Sequence, residues 1–296
     1  MNLETIAAMP ARKYKKKSQV KEIWQRFLKN RTAVLGLGLL CCILLMAIFA
    51  DLIVPYEKCI IQVGKDRFTA PGAEYWFGTD DLGRDLFARI VHGSRYSLLI
   101  GISTSLFSLI IGGLIGSVCG YFGGKLDNFV MRLMDVVMSV PPVLLSLAVV
   151  AALGANLQNL LIAITISCVP GTVRLVRSVV ISVADQDYIE AAKSYGTGNF
   201  RIIMKYVVVN AMGPIIVHTT MNISSMILSA AGLSFIGMGV QPPAPEWGAL
   251  LSNARQHMFK APYLLYIPGI MILLTALSFN LVGDGLRDAL DPKLRD

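Results

Sequence analysis

Long runs without a charged residue are the feature that most restricts what this chain can fold into. A helix that crosses the hydrocarbon core of a bilayer needs about 20 mostly apolar residues. Runs of this kind occupy residues 34–53 (with Asp51 near the end), 96–124, 136–173, 206–245 and 261–283. Only 16% of all residues are charged, where a soluble domain has about 25%. The pattern predicts an all-α integral membrane protein with one transmembrane domain.

The lengths of these runs predict six transmembrane helices. The run 136–173 is long enough for two helices that turn at residues 154–156, which are Gly, Ala and Asn. The run 206–245 has room for two spans, but we assign one, at about 211–234, followed by an irregular Gly- and Pro-rich segment. A seventh span would move only the C-terminus to the other side.

The distribution of basic residues predicts the orientation. With six spans and a cytoplasmic N-terminus, 19 of the 27 Lys and Arg residues lie on the cytoplasmic side, as the positive-inside rule requires. The resulting segments are a basic cytoplasmic N-terminus with an interfacial helix (1–33), the first transmembrane helix (34–54), an external loop (55–95), a core with five transmembrane helices (96–285) that includes a cytoplasmic loop (174–205), and a cytoplasmic tail (286–296).

The N-terminal segment predicts contact with membrane lipids. Ile23, Trp24, Phe27 and Leu28 share one helical face with basic residues around it, and a further basic run occupies residues 13–17. This pattern is typical of a helix that lies on an anionic leaflet. A nucleic-acid-binding arm is disfavoured because a transmembrane run follows directly.

A short polar helix is predicted at residues 187–196, between two apolar runs. Asp187 is the expected N-cap, with Glu190 at the third helical position, and Gly196 is the expected stop. Ala191 and Ala192 give it a flat surface of small side chains. Such a helix suits the groove of another, cytosolic protein.

The loop before the second run predicts a second short helix, on the outer surface. Thr79 or Asp80 is the expected cap, and the apolar side chains at 86, 87, 90 and 91 share one face. We expect this helix to lie along the membrane surface. The candidate residues for contact with an external protein are Asp80, Asp81, Arg84 and Asp85.

Glycine and proline residues mark two further features of the spans. Gly112, Gly116 and Gly120 form a face that allows close helix packing, within the chain or against a partner. Proline residues interrupt several spans, and broken helices line cavities in transport proteins. The candidate pathway-lining breaks are Pro141, Pro142, Pro170 and Pro214.

Catalytic, cofactor and metal sites are not indicated. The five cysteines have no metal-ligand spacing. Residues 120–126 imitate a phosphate-binding loop but are one residue short, and Leu126 replaces the required Ser or Thr. Few ionisable residues fall within the runs, which argues against a proton- or sodium-driven carrier. We expect Arg132 and Asp135 to pair with each other.

Four stretches together carry a family resemblance. They are residues 24–56, residues 77–98 with the pattern GTDxxGRDxxxRxxxGxRxSL, residues 190–210, which are similar to the EAA loop of importer permeases, and residues 243–250 with P-x-P-E-W-G. The chain resembles the C-type permease subunit of bacterial dipeptide/oligopeptide/nickel ABC importers. It departs from the EAA pattern near residue 209, where Val replaces the usual Pro and puts the usual helix kink in question.

The resemblance implies an architecture, a location and a set of partners. The architecture is that of a type I ABC importer permease with cytoplasmic termini, in the bacterial cytoplasmic (inner) membrane. The partners are a homologous B-type permease, two cytosolic ABC ATPases that hydrolyse the ATP, and an extracellular or periplasmic substrate-binding protein. The implied ATPase-coupling residues are Asp187, Tyr188, Glu190, Ala191, Ala192 and Gly196.

The cargo stays open at this stage. Peptides are the main expectation, with nickel, another metal chelate or antimicrobial peptides as alternatives within the same machinery. Two hypotheses come from other functional classes. One is a secondary carrier or channel without ATPases, and the other is a membrane scaffold.

Overall fold

A computed structural model describes residues 19–290, and within this range the regular structure is helical without any β-strand. The all-α prediction is therefore confirmed. The basic run 13–17 and the tail residues 291–296 lie outside the described residues. The helices are α1 (Gln19–Lys29), α2 (Arg31–Ile48), α3 (Ala50–Ile53), α4 (Glu57–Ile60), α5 (Leu86–Phe122), α6 (Gly124–Met138), α7 (Pro142–Leu153), α8 (Leu157–Ala184), α9 (Asp187–Ser194), α10 (Asn199–Ile202), α11 (Val208–Phe235), α12 (Trp247–Ala254) and α13 (Tyr263–Leu290).

Five helical segments in the described range are long and apolar enough to cross a membrane. They are α2, α5, α8, the stretch Asn199–Phe235 that ends with α11, and α13. The pair α6 and α7, bent by 81°, is a sixth span if it crosses as one unit. The run 206–245 contains one helix that could span, and the turn predicted at 154–156 separates α7 from α8.

Several helix boundaries differ from the sequence-based ones. The helix α2 begins at Arg31, because the Asn30 side chain accepts hydrogen bonds from the N–H groups of Thr32 and Ala33. The helix α5 begins ten residues before the predicted boundary at 96, so the surface-lying helix predicted after residue 80 does not exist separately. The helix α8 extends to Ala184, so the loop that contains α9 spans only residues 185–207.

The glycine face of α5 packs against α8 within this chain. A Cβ atom on Gly116 would lie 2.7 Å from the backbone oxygen of Val173, and one on Gly120 would lie 2.8 Å from that of Arg177. Close approach of this kind stabilises helix pairs in lipid through van der Waals contact, because the hydrophobic effect contributes little there. Nearby, the hydroxyls of Ser108 and Thr172 are 2.7 Å apart.

The other half of the bundle is built around α13, which packs against α2 and α11. The helix α1 also rests on α13: Phe27 is buried, and a Cβ on Gly285 would contact its ring. The Asn30 side chain donates a hydrogen bond to Asp288. Trp24 and Leu28 remain exposed, so only part of the predicted apolar face of α1 is free to meet lipid.

Replacing Gly116 with Ala should lower stability, because the added methyl group cannot fit against the backbone of α8. We expect a loss of about 1–3 kcal/mol, as for other overpacked sites. The matched control is Gly113→Ala on the same helix, where a Cβ meets only an ordinary contact at 3.9 Å. The thermal unfolding midpoint of the purified chain measures both. Equal midpoints would contradict this packing.

Candidate functional site

The predicted polar helix exists as α9, but it starts differently from the expectation. The N-cap position is Gln186, which makes no side-chain capping bond, and Asp187 is the first helical residue. The predicted Asp187 capping box is therefore wrong. Asp187 and Glu190 still lie in the first turn, where their negative charges interact favourably with the helix dipole.

The end of α9 has the predicted glycine stop. Gly196 has φ +74°, a backbone region that favours glycine. Its N–H donates to the carbonyl of Lys193, and the N–H of Thr197 donates to the carbonyl of Ala192. These two bonds form a Schellman motif, which fixes the direction in which the chain leaves α9.

One face of α9 is anchored in the protein. Ile189 is fully buried, and Ala192 is 9% exposed, so Ala192 lies on the inner face and not on the predicted contact surface. Burying an Ile side chain contributes about 1.5–3 kcal/mol. The apolar cluster that holds this face comes from α8, α10, α11 and the turn before α11: Val176, Val180, Ile202, Val207, Ala211 and Ile215.

The opposite face of α9 is free. Asp187, Tyr188, Glu190 and Ala191 are exposed. Two aromatic side chains that sequence reasoning missed lie just beyond the helix, with Tyr195 at 90% and Phe200 at 80% exposure. The only sequence signal for them was their position beside the turn at 196–198. Large exposed aromatic side chains next to a polar helix are typical of a docking surface.

The entry into α11 has an irregular turn although it lacks the family's proline. Residues Ile203–Val207 form a π-helical turn between α10 and α11. Such turns are rare and often mark functional positions. The loop is also joined to the end of α5, because Tyr121 donates a hydrogen bond to the Asn199 side chain and Lys193 lies 5.3 Å from the Tyr121 ring centroid.

Two ion pairs connect α8 to the bent helix pair. Arg177 binds both carboxylate oxygens of Asp127, which is 8% exposed. Arg174 binds one oxygen of Asp135. The predicted pairing of Arg132 with Asp135 is therefore wrong: the carboxylate reaches across to α8 and not along its own helix.

A cavity of about 280 Å³ lies between α6, α7, α8 and α11. Pro142 lines it directly and Pro141 lies at the bend that forms its wall. Pro170 is buried inside α8, and Pro214 lies exposed on α11; neither lines this cavity. The Ser146 and Ser167 hydroxyls, 2.8 Å apart, give the wall polar groups.

At the opposite end of the bundle, Asp80 organises the loop before α5. Its carboxylate accepts hydrogen bonds from the N–H of Leu82, the N–H of Arg84 and the Arg84 guanidinium, the last at 2.7 Å. Asp80 and Arg84 are buried, whereas Asp81 and Asp85 are partly exposed. The predicted Thr79 or Asp80 helix cap is wrong, because Asp85 caps α5 through the N–H of Phe87.

Glu246 and Trp247 connect two of the stretches that carried the resemblance. The Glu246 carboxylate caps α12 by accepting from the N–H groups of Gly248 and Ala249, both at 2.8 Å. The indole of Trp247 is buried and donates to the carbonyl of Ile90 on α5. No local sequence pattern indicates this contact, because the partners are more than 150 residues apart.

Burial shapes the ionisation of the groups in the loops at this end of the bundle. It raises the pKa of the Asp85 and Glu246 carboxyls, and hydrogen bonds from backbone N–H groups oppose the shift in both. It also raises the pKa of the Cys59 thiol to about 12. Among residues 19–290, no three His, Cys, Asp or Glu side chains are arranged to hold a metal ion.

Family models match most of the chain. One described as "Binding-protein-dependent transport system inner membrane component" matches residues 112–296. A second, described as "N-terminal TM domain of oligopeptide transport permease C", matches residues 18–71.

Curated relatives align over nearly the whole length. A dipeptide transport system permease protein DppC from Alkalihalophilus pseudofirmus is 43% identical, covering 100% of this chain and 97% of its own. A di/tripeptide permease DppC from Pseudomonas aeruginosa is 44% identical over 94% of each chain. A glutathione permease GsiD from Pectobacterium atrosepticum is 40% identical, covering 93% of this chain and 91% of its own.

Among solved structures, a chain of the MetNI methionine ABC transporter in an inward-facing conformation has the same fold. Its TM-score is 0.57 at 17% identity, and the match covers 70% of this chain and 98% of that chain. The predicted type I ABC importer permease architecture is thereby confirmed.

Replacing Asp80 with Ala should strongly destabilise the chain, because it leaves the Arg84 guanidinium buried without its carboxylate. Breaking a buried ion pair costs about 3–5 kcal/mol. Asp81→Ala is the matched control: its carboxylate lies 3.8 Å from Arg84 and is partly exposed, so we expect a change of about 1 kcal/mol or less. Thermal unfolding of the purified chain compares the two. A similar loss in both variants would argue against the organising role of Asp80.

Proposed function

The chain belongs to the family of binding-protein-dependent transport system inner membrane components, and from this premise we propose that it is the C-type permease subunit of an ATP-driven peptide importer. It is a multi-pass protein of the bacterial inner membrane. The proposal of peptides as cargo is supported by full-length relatives named for dipeptide, di/tripeptide and glutathione transport. These names favour peptides over the nickel or metal-chelate alternative.

The partners follow from the family in outline, since such a permease works with ATPase, substrate-binding and second permease subunits. In detail, we propose a heterodimer with a homologous B-type permease, two cytosolic ABC ATPases, and a substrate-binding protein outside the membrane. ATP hydrolysis then belongs to the ATPases, and this chain is not an enzyme. The excess of Lys and Arg residues in the sequence segments predicted to be cytoplasmic supports a cytoplasmic position for both termini and for α9.

The observation that carries the proposal is that α9 has one exposed face while its opposite face is buried in the protein. The ATPase contact is assigned to Asp187, Tyr188, Glu190 and Ala191, with Tyr195 and Phe200 beside them. Ala192 and Gly196 support this face: Ala192 packs beneath it, and Gly196 fixes the turn that follows. The carboxylates of Asp187 and Glu190 and the aromatic rings suit a groove on a folded protein better than a lipid surface.

The coupling proceeds through rigid contacts. ATP-driven closure of the two ATPases displaces α9. The helix α9 in turn displaces α8 and α11, because its buried face packs against residues of both. The bundle thereby alternates between inward- and outward-facing states, which must differ in their affinity for nucleotide and cargo.

On the external side, the proposed contacts for the binding protein are Asp81 and Asp85. Both are partly exposed beside the loop that Asp80 and Arg84 hold in place. Asp80 and Arg84 then contribute to docking by keeping this loop rigid. Of the four candidate proline residues, Pro141 and Pro142 are the proposed pathway-lining breaks, because they shape the cavity.

Uptake measured in proteoliposomes tests the function. We expect the chain, reconstituted with its partner subunits and binding protein, to accumulate a labelled dipeptide only when ATP is supplied on the ATPase side. Uptake driven by a membrane potential without ATP would indicate a secondary carrier or channel instead. Uptake of nickel but not of dipeptide would support the metal-chelate alternative.

Replacing Gly196 with Val should uncouple ATP hydrolysis from transport. A β-branched residue at φ +74° is strained by about 1–3 kcal/mol, so the turn after α9 shifts and the contact face tilts. We expect membrane insertion and ATPase activity to persist, while the number of dipeptides moved per ATP falls. The matched control is Gly198→Val, at φ −63° with open space around the Cβ position. A wild-type ratio in the Gly196 variant would contradict the role of this turn.

A further inference from the structure

We propose that Asp135 and Arg174 form a binding site for the charged ends of the peptide at the cytoplasmic mouth of the cavity. Arg174 takes the terminal carboxylate and Asp135 takes the terminal ammonium as the peptide leaves the pathway. This inference rests on the proposed function, because it assumes that the cargo is a peptide with free termini.

The ion pair lies next to the lining of the cavity. Met138 and Gly171 line the cavity. Asp135 precedes Met138 by three residues, and Arg174 follows Gly171 by three, so each charge lies one turn from the cavity on the same helical face. A Cβ atom on Gly171 would meet nothing within 4 Å. At Gly171 the lining of the cavity therefore has open space where a side chain would otherwise stand.

The two ion pairs on α8 differ in burial and in the number of hydrogen bonds. Two hydrogen bonds join Arg177 to Asp127, and the Asp127 carboxylate is almost fully buried. In the other pair, Arg174 is 46% and Asp135 is 55% exposed, with one bond between them. Exposed ion pairs of this kind contribute about 0–1 kcal/mol. Asp135 and Arg174 can therefore separate and take new partners at little cost.

The chemistry of the cargo matches this pair. A peptide with free termini carries an ammonium and a carboxylate at neutral pH. A guanidinium binds a carboxylate through two parallel hydrogen bonds, and a carboxylate accepts hydrogen bonds from an ammonium. Because one ion pair is exchanged for two, the site stays neutral overall and no charge is left without a partner.

The walls of the cavity suit a peptide of variable sequence. Ser146, Ser167 and Ser229 supply hydroxyls for a peptide backbone, while Val137 and Ile164 supply apolar surface. The volume of about 280 Å³ is near the lower limit for small-ligand pockets. A larger groove between α5 and α11 has no charged residue in its lining, all of which lies in the described range, so it lacks a comparable pair.

The test uses the complete transporter in proteoliposomes, with a labelled dipeptide delivered by the binding protein. The double variant Asp135→Asn/Arg174→Gln removes both charges without leaving either one unpaired. Loss of hydrogen bonds to charged groups should lower the maximal uptake rate about tenfold. The binding-protein concentration at half-maximal uptake should not change, because delivery precedes this site. Arg132→Gln, an exposed charge one turn away on α6, is the control and should transport normally.

The charge swap Asp135→Arg/Arg174→Asp separates binding from a structural role. A structural ion pair would be restored by the swap, whereas a site that meets an oriented peptide would present the wrong charge to each end. We expect the swapped transporter to stay about tenfold slower. Wild-type uptake in the neutral or the swapped double variant would overturn the inference.

Gly171→Leu provides a variant that leaves both charges in place. Gly171 lines the cavity, and the open space around its Cβ position leaves room for the leucine without a clash at that atom. We expect uptake to fall, and normal uptake would overturn the inference. If the wild-type transporter itself moves no dipeptide, the proposed function fails instead, which distinguishes the two failures.

Discussion

The close contact between α5 and α8 is the constraint on which the rest of the structure depends. Glycines at positions 112, 116 and 120 bring the two backbones together, and in lipid such contact must supply most of the association energy. The helix α8 carries Arg174 and Arg177 and leads directly into α9. The cavity, the two ion pairs and the exposed face of α9 are therefore all positioned by this one helix pair.

Continuity and interruption in the helices determine where the bundle can bend. The helix α5 runs unbroken for 37 residues, about 55 Å at 1.5 Å per residue. It joins the Asp80 loop at one end to the Tyr121–Asn199 contact at the other. The pair α6 and α7, by contrast, is interrupted next to Pro141 and bent by 81°. If the bundle changes shape, the interruption beside the cavity offers less resistance than the continuous helix.

The sequence predicted well what depends on composition and length. The charge-free runs identified the approximate positions of the spans, because exclusion of charge from lipid acts on every residue of a run. Gly154 and Gly196 marked the turn at 154–156 and the end of α9. Prediction from the sequence failed where several nearby groups compete for one side chain. Asp80 has the right side chain for a helix cap, but its oxygens are used by Leu82 and Arg84, and Asp85 caps α5 instead.

Long-range contacts account for the other differences. Asp135 has Arg132 three residues away, yet it binds Arg174 because α6 and α8 lie side by side. No pattern along the chain indicates that Tyr195 and Phe200 are exposed. The contacts of the buried Glu246 and Trp247 are equally hidden. Which face of α9 is exposed was equally hidden: Ala191 and Ala192 are adjacent and chemically identical, and only the tertiary fold buries one of them.

The burial of one face of α9 has a mechanical consequence for the proposed coupling to ATPases. A loop held only by its two ends would bend under a partner's force and absorb the displacement. Ile189 and Ala192 instead hold α9 in a cluster with residues of both α8 and α11. Separating Ile189 alone from this cluster costs about 1.5–3 kcal/mol, several times the thermal energy. A push on the exposed face therefore moves both helices before it detaches α9, and both helices contribute to the lining of the cavity.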